Sequence, residues 1–285
     1  MHQSVLVTGA SSGIGEATAV HLAHKGFRVF AAARRLEKLQ ELTAVGHGRI
    51  SALEMDVTDE ASISAAIQKI ADEGLTLFGV VNNAGVSVMG PIETTPLSEW
   101  RRQYETNVFG VVNVVRAVAP QMRAAGRGRI VNIGSVAGRV APPFQGVYAS
   151  SKHAVEGLTD AMRIEMAPHG VKVSLIRPGF IHTPFGEQEQ ESLAKHTGDD
   201  QPYAEQVRIY KKWHAEGHPN GPSPSVVAEA VHHALTAERP HTRYTAPSKM
   251  IGTLMLRNLM PSAVTDRIFK RITGLNAFKG KGGQS

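Results

Sequence analysis

The sequence contains no cysteine, which excludes a disulfide framework, a thiol nucleophile and a thiolate metal site. It also lacks an uncharged run of about 18 apolar residues, so we expect no membrane-spanning helix. No charged N-terminal segment precedes a long apolar stretch, so we see no secretory signal. The length of 285 residues suits one large α/β domain with an ample core. We therefore expect a soluble, cytoplasmic protein.

The net positive charge comes from one end of the chain. The formal net charge is +6, and residues 249–285, with seven basic residues and one acidic residue, account for all of it. A basic tail on a neutral body is not the charge pattern of a nucleic-acid-binding protein, and we see no nucleic-acid-binding motif. We expect no nucleic-acid partner.

A glycine-rich turn, TGASSGIG from Thr8 to Gly15, follows the first predicted strand and precedes a predicted helix. A strand, a glycine turn and a helix N-terminus are the context in which proteins bind dinucleotide phosphates. Gly9 permits the tight turn, Gly13 lets the backbone approach a pyrophosphate, and Gly15 lets the helix pack closely on the strand. The spacing is G-x-x-x-G-x-G rather than the commoner G-x-G-x-x-G.

Tyr148 and Lys152 form a candidate acid–base pair, with Ser135 a short way upstream. Positions i and i+4 share one face of a helix. An ammonium beside a phenol stabilises the phenolate, so we expect Lys152 to lower the pKa of Tyr148 toward neutral pH. Tyr148 could then donate and accept a proton. Taken alone, the same spacing would also suit an exposed helix pair.

The end of the second predicted strand discriminates between two cofactors. An NAD enzyme needs an acidic residue there to hold the ribose 2′-hydroxyl. This sequence instead has Arg34 and Arg35 after three alanines. Guanidinium groups match phosphate geometry and stay charged, so the pair predicts NADP(H). The alternative is that both arginines are solvated residues at the start of a helix.

These motifs and five others stand in the order that is seen in short-chain dehydrogenases/reductases. The five are Asp56-Val57, Asn82-Asn83-Ala84-Gly85, Asn107, Ser135, and Pro178-Gly179 followed by Thr183. Over residues 3–246 the chain resembles the compact branch of that family, and residues 28–39 resemble its 17β-hydroxysteroid-dehydrogenase-like members. The resemblance implies an oxidoreductase with a nicotinamide cofactor.

Predicted strands and helices alternate along the chain. We expect strands at 4–8, 27–33, 50–55, 77–83, 129–134, 171–177 and 242–246, and helices at 14–25, 36–44, 59–73, 98–124, 149–167 and 225–237. The alternation predicts a Rossmann-type, doubly wound parallel sheet of seven strands, with helices on both faces. The resemblance implies the strand order 3-2-1-4-5-6-7. We expect one domain over residues 1–247 and a short, basic, amphipathic helical extension over 248–285.

The resemblance also implies which residues bind the cofactor. They are Gly9, Ser11, Ser12, Gly13, Ile14, Gly15, Arg34, Arg35, Asp56, Val57, Asn83, Ala84, Gly85, Tyr148, Lys152, Pro178, Gly179, Ile181 and Thr183. Two alternatives remain open. Asp56 could cap the helix that follows it, and Asn82 could be mainly structural.

The catalytic residues that the resemblance implies are Ser135, Tyr148, Lys152 and Asn107. Ser135 and Tyr148 would hydrogen-bond the substrate oxygen, where negative charge grows as hydride arrives at carbon. Tyr148 would donate the proton, and Lys152 would bind the nicotinamide ribose. Asn107 would shift its helix and hold a water near Lys152, although it could also be a neutral helix residue. Asparagine is a poor helix former, and such local violations are expected at functional sites.

Three classes of function remain open. We favour an NADP-dependent carbonyl reductase or alcohol dehydrogenase. The alternatives are a relative that performs epimerase or lyase chemistry with a tightly held cofactor, and a catalytically silent nucleotide-binding regulator. The complete set of Ser135, Tyr148 and Lys152 argues against the silent protein.

The substrate lid is expected at residues 184–224, which lack clean periodicity. Val140, Phe144, Phe180, Phe185 and Tyr203 could line the substrate pocket or belong to the core. The apolar residues of the lid and the tail favour a bulky apolar substrate such as a sterol, a retinoid or an acyl-chain lipid. His182 is a candidate second acid. The histidine pairs at 21/24 and 232/233 show no carboxylate partners, so we expect no metal site.

The C-terminal extension has the pattern of an amphipathic helix. Val264, Ile268, Ile272 and Leu275 recur at helical spacing, and Asp266, Arg267, Lys270 and Arg271 fall on other faces. Such a helix can lie peripherally on an anionic membrane. We favour the alternative, packing against its own domain or a subunit. Helices 98–124 and 149–167 correspond to those that pair between subunits in the family, so we expect a homodimer or homotetramer.

Overall fold

Seven parallel strands form one sheet in the computed structural model, which describes residues 3–277. The strands are β1 (Ser4–Thr8), β2 (Arg28–Ala33), β3 (Ile50–Glu54), β4 (Leu77–Asn82), β5 (Gly128–Ile133), β6 (Val171–Pro178) and β7 (Arg243–Ala246). Their order is β3-β2-β1-β4-β5-β6-β7, and every neighbouring pair is parallel. This confirms the predicted Rossmann-type sheet, with each strand's bounds within one residue of those predicted. The order reverses between β1 and β4, which opens a crevice at the carboxyl ends of these strands.

Helices cover both faces of the sheet. They are α1 (Gly13–His24), α2 (Leu36–Val45), α3 (Glu60–Asp72), α4 (Leu97–Tyr104), α5 (Gly110–Ala124), α6 (Gly146–Met166), α7 (Phe185–Ala194), α8 (Ala204–Ala215), α9 (Ser225–Thr236), α10 (Met250–Leu259) and α11 (Ser262–Ile272). Successive residues of each strand point to opposite faces, so Val5 and Val7 join one core while Leu6 joins the other. The first core includes residues of α1, α2 and α9, and the second includes residues of α3 and α5.

The predicted helix 98–124 is interrupted by a π-helical turn. This turn, Glu105–Phe109, joins α4 to α5 and contains Asn107. The Asn107 side chain accepts a hydrogen bond from the backbone N–H of Val86 at 2.8 Å and donates one to its carbonyl at 3.0 Å. A π-bulge is rare and is found frequently at functional sites. Asn107, a poor helix former, therefore lies at a real irregularity of the helix.

The predicted lid, residues 184–224, contains α7 and α8, which the sequence analysis did not predict. The buried side of α7 consists of Gly186, Glu189 and Leu193, and that of α8 consists of Ala204, Val207, Tyr210 and His214. The spacing is helical, but a glutamate and a histidine stand where apolar residues are expected. A search for apolar periodicity therefore misses both helices.

The C-terminal extension contains α10 and α11 and lies against the rest of the chain. Met250 of α10 packs so closely on Gly179 that a Cβ at Gly179 would lie 2.1 Å from the Met250 sulfur. Gly274, just after α11, packs on Ile209 of α8, where a Cβ would lie 3.1 Å from a side-chain carbon. Leu254 and Thr265 are buried. The last part of the predicted extension, residues 278–285, lies outside the described residues. Within residues 3–277, no helix is long and apolar enough to cross a bilayer.

Candidate active site

The glycine-rich turn adopts the conformation that its sequence predicts. Gly9 and Gly13 have φ values of +64° and +61°, in the left-handed region that favours glycine. A Cβ on Gly15 would lie 2.3 Å from the carbonyl oxygen of Gly9, so the close packing of α1 on this turn excludes any larger residue. The turn and the N-terminus of α1 thus form a cradle of bare backbone at the crevice, which fits a dinucleotide phosphate.

Thr8 and Asn83 join the carboxyl ends of β1 and β4 behind this turn. The Thr8 hydroxyl accepts hydrogen bonds from the backbone N–H groups of Asn83 and Ala84, both at 3.0 Å. The Asn83 amide donates to the carbonyls of Thr8 at 3.0 Å and Gly9 at 3.1 Å. Asn82, in contrast, is buried and donates to Asn132 of β5 at 2.8 Å, which matches a structural role. Sequence reasoning did not single out Thr8 as the residue that orients the turn.

The ends of β2 and β3 form the next part of the crevice. Arg34 and Arg35 are exposed and line the cavity, and Arg35 donates to the Ser11 hydroxyl at 3.3 Å. Asp56 also lines it, and its carboxylate accepts from the backbone N–H of Thr58 at 2.9 Å. The alternative in which Asp56 caps the following helix is wrong, because Asp59 caps α3.

Ser135, Tyr148 and Lys152 lie together at the ends of β5 and α6. Helix α6 begins at Gly146, three residues earlier than predicted, so Tyr148 is already helical and Lys152 follows one turn later. The Ser135 oxygen accepts from the backbone N–H of Ala137 at 3.0 Å, and its hydroxyl hydrogen-bonds Tyr148. All three side chains of the predicted set are more than nine-tenths buried and line one cavity.

The electrostatics of this pair differ from the sequence prediction. Burial raises the pKa of Tyr148 above its usual value, the charge of Glu189 raises it further, and the hydrogen bond with Ser135 opposes both. Burial lowers the pKa of Lys152 to about 8. The predicted lowering of the Tyr148 pKa is therefore wrong, because loss of water around a phenolate outweighs the expected attraction. Tyr148 stays protonated at neutral pH, the form that can donate a proton to a substrate oxygen.

Lys152 and Asn107 are held by the backbone around the site. The Lys152 ammonium donates to the carbonyl of Ile133 at 2.8 Å and lies 5.8 Å from the centre of the Tyr148 ring. Asn107 lies behind the cavity wall, where it fixes Val86, and its predicted water link to Lys152 remains a prediction. Gln103 makes the same kind of contact one turn earlier, with bonds to the Val86 carbonyl and the Val88 N–H.

One cavity of about 710 Å³ joins the phosphate cradle to the catalytic residues. The predicted residues that line it are Gly9, Ser11, Ser12, Gly13, Ile14, Arg34, Arg35, Asp56, Val57, Asn83, Ala84, Gly85, Ser135, Tyr148, Lys152, Pro178, Gly179, Ile181 and Thr183. Gly15 and Asn107 do not line it; they support its wall. The shape and the lining fit an extended dinucleotide that reaches from the arginines to Tyr148.

The substrate end of the cavity only partly matches the predicted lining. Val140, Phe180 and Phe185 contribute, but Phe144 and Tyr203 pack in a separate core cluster around Tyr210. His182 is exposed and does not line the cavity, so it is not a second acid. Additional lining comes from the lid and the C-terminal extension: Gln188, Glu189, Trp213, His218, Met250, Leu254, Leu256, Met260, Thr265, Ile268, Phe269 and Ile272.

Glu189 is the most unusual of these residues. It is buried, its carboxylate accepts from the Ser87 hydroxyl at 2.9 Å, and it lies 2.7 Å from a ring nitrogen of His218. Burial alone would raise the pKa of Glu189, but His214 and His218 hold it below its usual value. Sequence reasoning missed this cluster. The sequence offered one weak signal for it: His214 and His218 stand four residues apart, but Glu189 lies far from them along the chain.

The family model for short chain dehydrogenases matches residues 3–194. The chain belongs to the short-chain dehydrogenase/reductase family. It is 34% identical over 271 residues to the uncharacterized oxidoreductase YbbO of Escherichia coli K12, with 95% of each chain covered. It is 34% identical over 241 residues to a 3-ketodihydrosphingosine reductase of Bacteroides thetaiotaomicron, covering 85% of this chain and 86% of the relative. A mitochondrial D-beta-hydroxybutyrate dehydrogenase of Rattus norvegicus is 33% identical over 288 residues, covering 94% and 83%.

Solved structures of this family share the fold, and two of the three given below hold a nicotinamide cofactor. A short-chain dehydrogenase of Streptomyces avermitilis superposes with a TM-score of 0.79 at 30% identity, covering 98% of this chain and 99% of that one. ElxO with NADP bound gives 0.70 at 26% identity, covering 86% and 97%. A Burkholderia phymatum enzyme in complex with NAD gives 0.79 at 27% identity, covering 90% and 93%. The family member described here is therefore an oxidoreductase that acts on alcohol or ketone groups with a nicotinamide cofactor.

Proposed function

We propose that this enzyme uses NADP(H) to interconvert a carbonyl group and a secondary alcohol on a bulky apolar substrate. The observation that carries the proposal is one continuous cavity with two arginines at one end, Tyr148 and Lys152 in the middle, and apolar side chains of the lid and the extension at the other end.

The chemistry follows from the positions of the buried polar groups. NADP(H), when bound, supplies or accepts the hydride. Ser135 is oriented by the backbone N–H of Ala137, so its hydroxyl is directed at the position that the substrate oxygen shares with Tyr148. Tyr148 donates a proton to this oxygen as negative charge develops there. Lys152, whose pKa burial lowers to about 8, would hold the ribose hydroxyls of the bound cofactor. In the reverse direction the Tyr148 oxygen takes the proton from the alcohol.

The preference for NADP(H) rests on charge at the end of β2. Arg34 and Arg35 are exposed and line the part of the cavity that the adenosine half of the cofactor would occupy. An NAD-selective enzyme would carry a carboxylate there, which would repel a 2′-phosphate. Both NADP and NAD occur among the structural neighbours, so the preference is argued from these two residues.

The size of the substrate is argued from the lining. Leu254, Met260, Ile268 and Phe269 belong to the extension and bring apolar surface to the cavity. The Bacteroides relative is named for a long-chain keto compound, whereas the rat relative is named for a short hydroxy acid. The two named compounds differ greatly in size. The extension's contribution favours the larger end, and so does the sequence resemblance to the 17β-hydroxysteroid-dehydrogenase-like members.

A panel of compounds tests the proposal. Ketones, aldehydes, sterols and lipid-like carbonyl compounds are incubated with enzyme and NADPH, and cofactor consumption is recorded. We expect consumption with bulky apolar ketones. Consumption only with sugars or small keto acids would contradict the substrate class. Tight cofactor retention with racemisation or elimination would support the alternative of epimerase or lyase chemistry, and cofactor binding without any turnover would support the silent regulator.

Four sequence-based expectations remain predictions. They are the homodimer or homotetramer, the cytoplasmic location, the absence of a nucleic-acid partner and the peripheral membrane contact. For the extension we propose packing on its own domain, because Leu254 and Thr265 are buried there. A membrane would have to cover the exposed apolar side chains of the extension that do not line the cavity, which include Ile251, Met255 and Val264.

A further inference from the structure

A buried cluster of one glutamate and two histidines lies beside the substrate end of the cavity. Apart from the effect of the Glu189 charge on the pKa of Tyr148, it has no role in the chemistry above. Glu189 belongs to α7, His214 to the last turn of α8, and His218 follows that helix. Their ligand atoms all lie within 4.8 Å of one another. Glu189 Oε2 is 2.7 Å from His218 Nε2 and 3.2 Å from His214 Nε2. Three groups that bind metals well thus converge on one point.

Each member of the cluster is held from behind by a further polar group. His218 Nδ1 is 2.9 Å from the carbonyl oxygen of Ile181, which can only accept, so Nδ1 carries a proton. Without an ion, Nε2 donates to the Glu189 carboxylate at 2.7 Å, and a bound metal would take the place of that proton. The other oxygen of Glu189 accepts from Ser87 at 2.9 Å. Metal-binding histidines almost always use their second ring nitrogen in this way, and metal-binding carboxylates are hydrogen-bonded too.

His214 supplies a second and independent sign of a ligand. It is 1% exposed, and its Nε2 has no regular hydrogen bond; the nearest partner is the Glu189 carboxylate at 3.2 Å, which attracts it electrostatically. A buried polar atom without a good partner is destabilising, so such an atom calls for a ligand, an ion or a water that explains it. Its Nδ1 is 2.9 Å from the amide nitrogen of Gln190. A metal-binding His214 would require this amide to turn over, so that its oxygen accepts from Nδ1–H. Nε2 would then be a free lone pair aimed at the centre of the cluster.

We propose that Glu189, His214 and His218 bind a divalent transition-metal ion of the Zn²⁺ type. Two imidazoles and one carboxylate form a known set of three protein ligands for Zn²⁺. Tetrahedral bonds of about 2.0–2.1 Å place ligand atoms about 3.3 Å apart. The Glu189–His214 separation already fits, and the Glu189–His218 separation must widen by roughly half an ångström.

The fourth coordination position would face the substrate. Glu189 and His218 both line the cavity that also holds Tyr148, whereas His214 lies behind them. An ion held by all three would therefore expose its free side to the cavity, where a substrate oxygen could coordinate. This departs from our expectation of no metal, which considered only neighbouring histidine pairs and not a set that joins two helices of the lid.

Metal titration of the full chain without a polyhistidine tag tests the site. The protein is dialysed against a chelator, then titrated with Zn²⁺ by calorimetry and with Co²⁺ by visible absorption. We expect one equivalent to bind, with the intense Co²⁺ bands of a tetrahedral site. Glu189→Gln and His214→Ala should each weaken binding by more than about a hundredfold, and Gln190→Ala, which acts through His214, by about tenfold. His232→Ala removes a histidine elsewhere and should change nothing.

A wild-type chain that binds no Zn²⁺ would overturn the proposal and leave the cluster as a hydrogen-bonded ion pair. Binding that survives both Glu189→Gln and His214→Ala would also overturn it, since the ion would then sit elsewhere. Thermal melts establish that each variant folds. Should the two ligand variants fail to fold, Gln190→Ala decides, and an affinity equal to that of the His232→Ala control contradicts the site.

Discussion

The two ends of the cavity are built in different ways. The cofactor end consists of backbone at the carboxyl ends of β1 to β4, with glycines that open it and Thr8 and Asn83 that tie it together. The substrate end consists of side chains from α7, α8, α10 and α11. Backbone geometry limits the cofactor end to a few sequence patterns, whereas almost any set of side chains can form the other end. The first end identifies the family, and the second would set the substrate.

The substitution with the largest expected effect on turnover is at Tyr148, where the two ends of the cavity meet. Tyr148→Phe removes the only hydroxyl assigned to proton transfer, so turnover should fall by about 10²–10⁴-fold while NADPH binds nearly as well as before. Steady-state kinetics and a fluorescence titration with NADPH measure the two quantities. Tyr203→Phe is the matched control, because that tyrosine is only partly buried, lies outside the cavity lining and donates its hydroxyl to Glu93. Turnover near the wild-type level in Tyr148→Phe would refute the assigned mechanism.

Lys152 belongs to both ends, so its loss should impair both measurements. Lys152→Ala is expected to lower turnover and cofactor affinity together, unlike Tyr148→Phe. Because burial lowers the pKa of Lys152 to about 8, the free enzyme loses this charge as pH rises through that value. The affinity for NADPH should therefore decline above a pH of about 8, by at most about tenfold per pH unit. An affinity that stays constant up to the pKa of an ordinary lysine would show that Lys152 is not in contact with the cofactor.

A smaller effect, on NADPH affinity, is expected from substitutions at the arginine end of the cavity. Replacing Arg34 and Arg35 together by alanine should weaken NADPH binding by about tenfold to a hundredfold, because charge-assisted contacts contribute about 1.5–3 kcal/mol. NADH binding should change little. Lys38→Ala, on the exposed side of α2, controls for a general loss of positive charge. Equal losses for both cofactors would show that the arginines do not read the 2′-phosphate.

The comparison also explains which parts of the structure could be predicted from the sequence. The strands, their order and the cofactor residues follow from apolar runs, glycine spacing and family resemblance, since backbone constraints act locally. The pKa of Tyr148 could not be predicted, because burial depends on the whole fold. Helices α7 and α8 were missed because Glu189 and His214 stand on their buried sides. Polar residues that pair with each other across two helices leave no periodic signal in one sequence.

The smallest expected effect is the change in catalytic efficiency for each CH₂ added to the substrate. Each additional CH₂ that is buried contributes about 0.8 kcal/mol, which is roughly fourfold in catalytic efficiency, so kcat/KM should climb along a series of ketones of increasing chain length. Leu254→Ala should flatten this slope, since Leu254 is buried and lines the cavity from α10. Ile251→Ala, on the same helix but exposed and outside the lining, should leave it unchanged. A flat or falling series in the wild-type enzyme would mean that the substrate end accepts only small or polar compounds. Equal slopes in the two variants would mean that the extension covers the domain without contacting the substrate.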